Sequence, residues 1–511
     1  MADTETRPLL EQSTRPRSPE RNALADNRLP ASSQTIAGAW RGVIVPLLVS
    51  AFLHDLGTNI TEVTMSEFGE DILCRNRFRE HGGAAALVLR DPRCKGAAVQ
   101  ADLSMLQAVE HTFGAIPSIL TSVLYGVASD RFGRKSIMCL SIVGLLVLYA
   151  VDFTIYYFPD VFNIYLVWPA ALLVFIGGGP PVMNSMTFAM VSDVVSEAER
   201  ANIFFYLVAT ALVGNLVGAP LTFYLMEYGP WTATAVGYSC YMARLFVVFF
   251  FCQDMKRNAV LLFQDDETQP AVEGDDKGAV AAAFRTMLNP VLAIKQTGSA
   301  GVEVFWIHKK LGVLLFTLLF SDLGGYANIL FNQYIAKRFD WSWSEANLLA
   351  SVTTFSRLAL MIAIMPLISQ VLNKTGMPPI IKDAQISRYA MLLATVSAFG
   401  IGIASTFYAI LPFLPLSTFR AVSRASLNSL LPSLAGPERT GALYSVMAVL
   451  DSIGMMIAAP ATAAIFKSGL RLGGMWIGLP YILSGVLMMI STAILFAVRI
   501  ANEDHFNATG L

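Results

Sequence analysis

Ionisable side chains stand inside long apolar runs of this sequence, where lipid or packed protein would surround them. An ionisable group at membrane depth costs about 2.5–3.5 kcal/mol on insertion scales, so each one needs a partner or a function. Pairing of acids with bases would fix the packing of a helix bundle. An acid in a partly dry cavity can instead bind and release a proton near neutral pH. The acids are Asp55, Glu110, Asp322 and Asp451, and the bases are Arg244, Arg357, Arg420 and Arg424.

Two of these acids, Asp55 and Asp322, are the best candidates for carrying a proton. Beside Asp55, a polar stripe continues along one helix face through Asn59 and Glu62, at positions i+4 and i+7. We therefore expect Asp55 or Asp322 to carry a proton. The alternative is that both are structural, breaking their helices with the glycines that follow. The remaining candidates for proton binding or for the lining of a cavity are Glu62, Glu110 and Asp451, with Arg357 and Arg424 as counter-charges or anion clamps.

The composition indicates what surrounds these residues. Hydrophobic side chains make up 55% of the 511 residues and charged ones only 14%, against about 25% charged in an average soluble domain. This excludes an ordinary soluble enzyme, and a net charge of −1 gives no indication of nucleic-acid binding. The five histidines and five cysteines are scattered, so we expect no metal, no cofactor and no catalytic cluster.

The chain contains twelve apolar runs, each long enough to cross about 30 Å of hydrocarbon. We predict an all-α membrane protein with a cytosolic tail over 1–38, six-helix bundles over 39–252 and 309–500, a cytosolic linker over 253–308 and a cytosolic tail over 501–511. The spans are 42–64, 103–128, 136–157, 161–190, 201–226, 231–252, 311–335, 345–371, 389–410, 413–434, 441–465 and 473–498.

The distribution of Lys and Arg predicts the orientation. Basic residues are concentrated on the side of the N-terminal tail, which favours both termini in the cytosol. The external loop 65–102 is basic and departs from this rule. Its Cys74 and Cys94 could form a disulfide on the oxidising side or remain two free thiols. The glycosylation patterns lie outside accessible external loops, so we expect no glycan.

The two halves of the chain repeat each other. Span 1 carries Asp55-Leu56-Gly57 and span 7 carries Asp322-Leu323-Gly324 after similar residues. Span 5 has glycines at 214 and 218 followed by Ala-Pro, and span 11 repeats the positions of Gly214, Ala219 and Pro220. Parallel repeats of this kind occur in transporters whose halves rock about a site near the midplane. The repeat makes Asp55 and Asp322 symmetry mates.

The loop between spans 2 and 3 reads Gly126-Val-Ala-Ser-Asp130-Arg131-Phe132-Gly133-Arg134-Lys135. It resembles the cytoplasmic signature of the major facilitator superfamily at every fixed position. Gly126 permits close helix approach, Gly133 a tight turn, and the three basic residues hold the loop at the cytosolic face. The resemblance covers about 40–500. It implies two six-helix bundles and a secondary transporter that takes a small-molecule solute and protons.

Two branches of the superfamily remain open. The span-5 motif from Gly214 to Pro220 is similar to that of drug:proton antiporters, without their trailing glycine pair. The long first external loop is similar to that of the proton-coupled folate and haem carriers, especially fungal relatives. Neither resemblance fixes the direction of transport or the solute, and we expect a monomer.

Two alternatives to proton-coupled transport are an uncoupled facilitator and a non-transporting sensor on the same fold. A sensor favours long cytosolic extensions, and the tails here are short. Glu5 with Leu9-Leu10 resembles an acidic dileucine signal for the vacuole or lysosome, and the plasma membrane is the default location. Residues that could line the solute cavity are Asn184, Tyr326, Asn328 and Asn332.

Overall fold

The computed structural model describes residues 40–80, 92–195, 197–253, 309–374, 378–435 and 440–498. The predicted tails, the linker beyond 253 and the dileucine pattern lie outside these residues. Every regular element in the described ranges is helical. The helices are α1 (Val45–Glu80), α2 (Ala97–Phe132), α3 (Arg134–Tyr157), α4 (Ile164–Val194, broken), α5 (Glu197–Glu227), α6 (Pro230–Phe251), α7 (Leu311–Phe339), α8 (Trp343–Leu372), α9 (Pro379–Ile403), α10 (Phe419–Ala435), α11 (Thr440–Leu472) and α12 (Leu479–Ala497).

These twelve helices correspond to the twelve predicted spans. Within the described ranges, nine of them are long and apolar enough to cross a membrane. The other three are α2, α10 and α11. Two short helical turns, Phe407–Ile410 and Phe413–Ser417, lead into α10. The fold is therefore the predicted all-α membrane bundle.

Helix α1 extends well past its predicted end at residue 64. It has 36 residues, about 54 Å at 1.5 Å per residue, whereas the hydrocarbon core is about 30 Å thick. Much of the predicted loop 65–102 is thus a helical extension of α1 and the first turns of α2. The polar residues beyond Thr64 conceal this continuation in a hydropathy profile, because they lie where α1 leaves the lipid.

Helix α4 is broken at three consecutive glycines. Gly177, Gly178 and Gly179 all have positive φ, a conformation that glycine adopts without steric cost. The Tyr125 hydroxyl accepts a hydrogen bond from the Gly177 N–H at 2.9 Å and donates one to the Phe175 carbonyl at 2.8 Å. Side chains of neighbouring helices therefore satisfy the backbone groups that the break exposes, as the membrane interior requires.

The internal repeat is visible in the packing. A Cβ built on Gly214 would lie 2.7 Å from the Phe52 carbonyl oxygen of α1, and one built on Gly454 would lie 3.8 Å from Leu319 of α7. Gly454 and Leu319 are the repeat equivalents of Gly214 and Phe52. The same glycine thus meets the same neighbouring helix in each half, and small residues of this kind permit close helix contact in membranes.

Alanine should be tolerated at only one of these two glycines. Gly214→Ala forces a methyl group against the α1 backbone, so we expect it to lower the free energy of unfolding by about 1–3 kcal/mol. Gly454→Ala places its methyl group at ordinary contact distance and should leave stability unchanged or slightly higher. Chemical denaturation of both variants in detergent measures the difference. Equal losses in the two variants would contradict the close contact at Gly214.

Candidate functional site

A cavity of about 520 Å³ lies between the two halves of the molecule. Its size falls within the range of roughly 300–1,000 Å³ that is usual for small-molecule sites. Amides, hydroxyls and ionisable groups form much of its wall. Its polar lining residues include Asn59, Glu62, Gln107, Glu110, His111, Asn215, Asn328, Asn332, Gln333, Asn347, Thr353, Thr354, Arg357 and Arg420.

Asn59 is the centre of an amide network that joins the halves. Its Nδ2 donates to Asn215 Oδ1 at 3.1 Å, and its Oδ1 accepts from Asn347 Nδ2 of α8 at 2.8 Å. Thr222 also donates to Asn59 Oδ1, at 3.2 Å. The network continues from Asn215 Nδ2 to Asp55 Oδ1 at 2.9 Å. Asp55 is therefore held by an amide, at the edge of a network that crosses between the halves.

Three acids of the first half have no basic partner among the described residues. Glu62 is exposed to the cavity, and Glu110 lines it beside His111. Asp152 of α3 is buried with both carboxyl oxygens unpartnered in the described part, and its charge interacts with that of Glu110. A buried carboxylate without a partner is costly, so the burial of Asp152 beside these two acids requires an explanation.

Sequence reasoning missed Asp152, although it lies within the predicted span 136–157. The available signal was an acid in an otherwise apolar run, from Leu148 to Phe153. Arg244, which the sequence analysis places inside an apolar run, lies in α6. It is buried and its Nε donates to Ser50 Oγ at 2.9 Å.

The acids of the second half are held by arginines of α10. Arg424 Nη1 pairs with Asp322, and its Nη2 lies 2.5 Å from Asp451 Oδ2. Arg420 Nη1 is 3.5 Å from Asp322 Oδ1. The symmetry mates Asp55 and Asp322 thus have different surroundings, an amide in one half and two guanidinium groups in the other.

Arg357 of α8 differs from these paired arginines. It lines the cavity with an exposed side chain, and the described part of the chain supplies it with neither an ion pair nor a hydrogen bond. Two other predicted lining residues, Asn328 and Asn332, also border the cavity, whereas Asn184 and Tyr326 are outside its lining. The cavity therefore contains an unpaired cation on the wall opposite the unpaired acids.

A cluster of polar contacts joins the two halves beside the cavity, which Trp343 and Gln333 line, and we call it the Glu70–Trp343 gate. The Trp343 indole of α8 donates to Glu70 Oε2 of α1, and Lys95 Nζ is 3.0 Å from the same oxygen. Lys95 also lies 5.2 Å from the centroid of the Trp343 ring. Nearby, Gln333 of α7 donates to the Gln100 carbonyl at 2.7 Å. These contacts join the two halves.

A disulfide lies directly behind the gate. Cys74 and Cys94 are bonded, with their Cα atoms 5.3 Å apart. Cys74 is one helical turn after Glu70, and Cys94 precedes Lys95 in the chain. The bond thus attaches the segment carrying Lys95 to the part of α1 that carries Glu70. Sequence reasoning missed this cluster, because Glu70 and Lys95 lie in the segment 65–102, which was expected to be a loop.

The signature loop joins the end of α2 to the start of α3, away from the gate. Gly133 has φ +92° between the two helices, and Arg134 pairs with Asp193 at the end of α4 at 2.8 Å. Lys135 lies 5.7 Å from the ring centroid of Phe249 on α6. The loop therefore contacts two other helices of its half. The side chains of Asp130 and Arg131 are outside the described residues.

Gly126 does not make the close helix contact expected of it. A Cβ at this position would have no neighbour within 4 Å in the described part of the chain. The predicted close approach of two helices at Gly126 is therefore not seen among the described residues.

The chain is similar to known transporters over most of its length. The Major Facilitator Superfamily model matches residues 32–459. The "MFS efflux pump atnC" of Emericella nidulans is 24% identical, over 90% of this chain and 89% of its own, and the "Efflux pump ustT" of Aspergillus flavus is 25% identical, over 89% and 88%. Among solved structures, the D-xylose-proton symporter aligns with a TM-score of 0.57 at 12% identity, covering 90% of this chain and 98% of its own.

Proposed function

Because the chain belongs to the major facilitator superfamily, we propose that it moves a small organic solute across the membrane by alternating access and couples this movement to protons. The multi-pass bundle and its relatives establish membrane transport as the setting. The observation that carries the proposal is the polar cavity between the halves, which bears acids without a basic partner among the described residues and lies beside contacts that join those halves. A site in this position can face each side of the membrane in turn.

Glu62 and Glu110 are the proton carriers that the contacts favour. Both border the cavity, and no described basic residue pairs with either. Asp152 is buried close enough to Glu110 for the charges of the two carboxyls to interact. Asp55 and Asp322 stay candidates. Asp322 pairs with two arginines, which argues for a structural role there.

We further propose that transport is outward, across the plasma membrane, with both termini in the cytosol. Two relatives are named efflux pumps, and the tetracycline resistance protein of Escherichia coli is 23% identical over 45% of this chain. The Cys74–Cys94 bond supports an external position for the gate, because disulfides persist on oxidising faces. A vacuolar location is the alternative, given the dileucine pattern in the tail.

Solute flux in proteoliposomes tests the coupling. Labelled amino acids, sugars, nucleosides and tetracycline are supplied with and without an imposed pH gradient. We expect the gradient to drive at least one solute, and Glu62→Gln or Glu110→Gln to reduce that flux about tenfold or more while gradient-free exchange continues. Asp160→Asn removes a carboxylate that is 87% exposed, outside the cavity, and is the matched control.

The same assay separates the alternatives. Flux that ignores both the gradient and the two glutamine variants would identify an uncoupled facilitator. Saturable binding of a solute without any flux in either direction would identify a sensor. Gradient-driven flux that survives both variants but not Asp55→Asn or Asp322→Asn would restore the symmetry mates as carriers.

A further inference from the structure

The two walls of the cavity carry opposite excess charge. On the first-half wall, Glu62 and Glu110 have no base among the described residues to neutralise them. On the second-half wall, Arg357 and Arg420 border the cavity. Among the described residues, Arg420 is within reach of an acid, Asp322, and Arg357 is not. The cavity is thus acidic on one side and basic on the other.

An unpaired guanidinium in this position requires an explanation. An arginine at membrane depth is costly unless it pairs or faces water, and Arg357 lies close enough to Arg420 for their like charges to interact. A planar guanidinium presents paired N–H donors that match the two oxygens of a carboxylate. A carboxylate on the solute would provide the missing partner.

The acids opposite have the complementary requirement. Glu62 and Glu110 present carboxyl oxygens to the cavity, and a protonated amine is the cation that such oxygens bind with charge-assisted hydrogen bonds. His111 beside Glu110 adds a further group that can donate or accept. Neutral donors and acceptors, among them Asn59 and Asn347, lie between the walls and suit the uncharged middle of a solute.

We infer that the cavity takes an amphoteric solute, whose carboxylate binds Arg357 and whose protonated amine binds Glu62 and Glu110. This inference rests on the proposed function and specifies its substrate class. A solute with a single charge would leave one wall unpaired. An amphoteric solute satisfies both walls and bridges the two halves, so its binding favours the conformation in which the halves are close.

Binding of matched probes to the full-length protein in nanodiscs tests the inference. The probes are 4-aminobutanoic, 6-aminohexanoic and 8-aminooctanoic acids. The distance between the amine and the carboxylate increases along this series, so the probes match different separations of the walls. Each is compared with its methyl ester, which keeps only the amine charge, and with its N-acetyl derivative, which keeps only the carboxylate. We expect at least one free amino acid to bind about tenfold more tightly than both of its blocked forms, a difference equal to about 1.4 kcal/mol.

Variants assign each charge to its wall. Arg357→Gln should make the free amino acid bind no better than its methyl ester, and Arg357→Lys should keep part of the difference. Glu62→Gln or Glu110→Gln should make it bind no better than its N-acetyl form. Controls are Arg471→Gln and Glu227→Gln, which alter exposed residues at helix ends outside the cavity lining and should leave both ratios unchanged.

Two outcomes would overturn the inference. The first is that no free amino acid binds better than both blocked forms. The second is that Arg357→Gln leaves the ratio of the affinities for the amino acid and for its methyl ester at the wild-type value. This variant is first shown to be folded by its unfolding midpoint without ligand. The proposed function is judged separately. Gradient-driven flux of a neutral solute would support the proposed function even where the inference fails. Binding of an amphoteric solute without flux would support the inference and contradict the proposed function.

Discussion

Arg424→Met is expected to lower the free energy of unfolding by about 3 kcal/mol, which is near the lower end of the usual cost of breaking a buried ion pair. Arg424 pairs with both Asp322 and Asp451, so its loss leaves two carboxylates without their main counter-charge. The cost stays near this lower end because Arg420 remains beside Asp322 and the side chain of Asp451 is 40% exposed. Chemical denaturation of the purified protein in detergent measures the change.

Two further variants isolate the charge effect. Adding Asp322→Asn to Arg424→Met removes the more buried of the stranded carboxylates and should recover part of the lost stability. Arg357→Met alters an arginine of the same half that makes no ion pair among the described residues, so it should have little effect on unfolding. A loss at Arg357 as large as that at Arg424 would show that arginine packing, and not ion pairing, stabilises this half.

The second large effect is expected at the Glu70–Trp343 gate. Glu70→Ala removes the acceptor of the Trp343 indole and the counter-charge of Lys95. A hydrogen bond to a charged group contributes about 1.5–3 kcal/mol, so the closed arrangement should become at least about tenfold less favoured. An introduced cysteine at Asn332, which lines the cavity, reports this opening by its rate of reaction with an impermeant maleimide applied from the gate side.

Conservative and remote variants define the gate. Glu70→Gln keeps an acceptor for the indole and should raise the labelling rate less than Glu70→Ala. Asp102→Asn breaks an ion pair with Arg77, 2.9 Å long, that lies within one half and should leave the rate unchanged. Maleimide labelling of the native Cys139, Cys240 and Cys252 is measured as background in the protein that retains Asn332 and so lacks the introduced cysteine. An equal rate in Glu70→Ala and the parent would show that the gate contact does not hold the halves together.

The fold follows from patterns that depend on local sequence. Apolar run lengths predict all twelve helices. The repeat also survives in three dimensions, from Gly214 against Phe52 to Gly454 against Leu319. Such features require only the sequence of one or two neighbouring helices.

The site depends on which helix faces meet, and sequence alone does not contain that information. The residues near Arg357 in the chain do not distinguish it from Arg424. In the fold, however, Arg424 pairs with two acids and Arg357 faces the cavity. Glu70 and Trp343 are 273 positions apart and meet only because the halves meet. The helical extension of α1 was equally hidden, since polar residues outside the lipid resemble a loop.

The length of α1 has a mechanical consequence. One continuous helix carries Asp55, the cavity-lining Glu62, the gate residue Glu70 and the surface-exposed Arg79. Arg79 is about 36 Å along the axis from Asp55, so a tilt of roughly 10° about Asp55 would displace the tip by about 6 Å. If α1 moves as a rigid rod, a small rotation at the cavity would therefore produce a large displacement of its end outside the lipid. A spin or fluorescent label at the end of α1 would report a movement of this half as a larger displacement than at the cavity, and the label would not contact the solute.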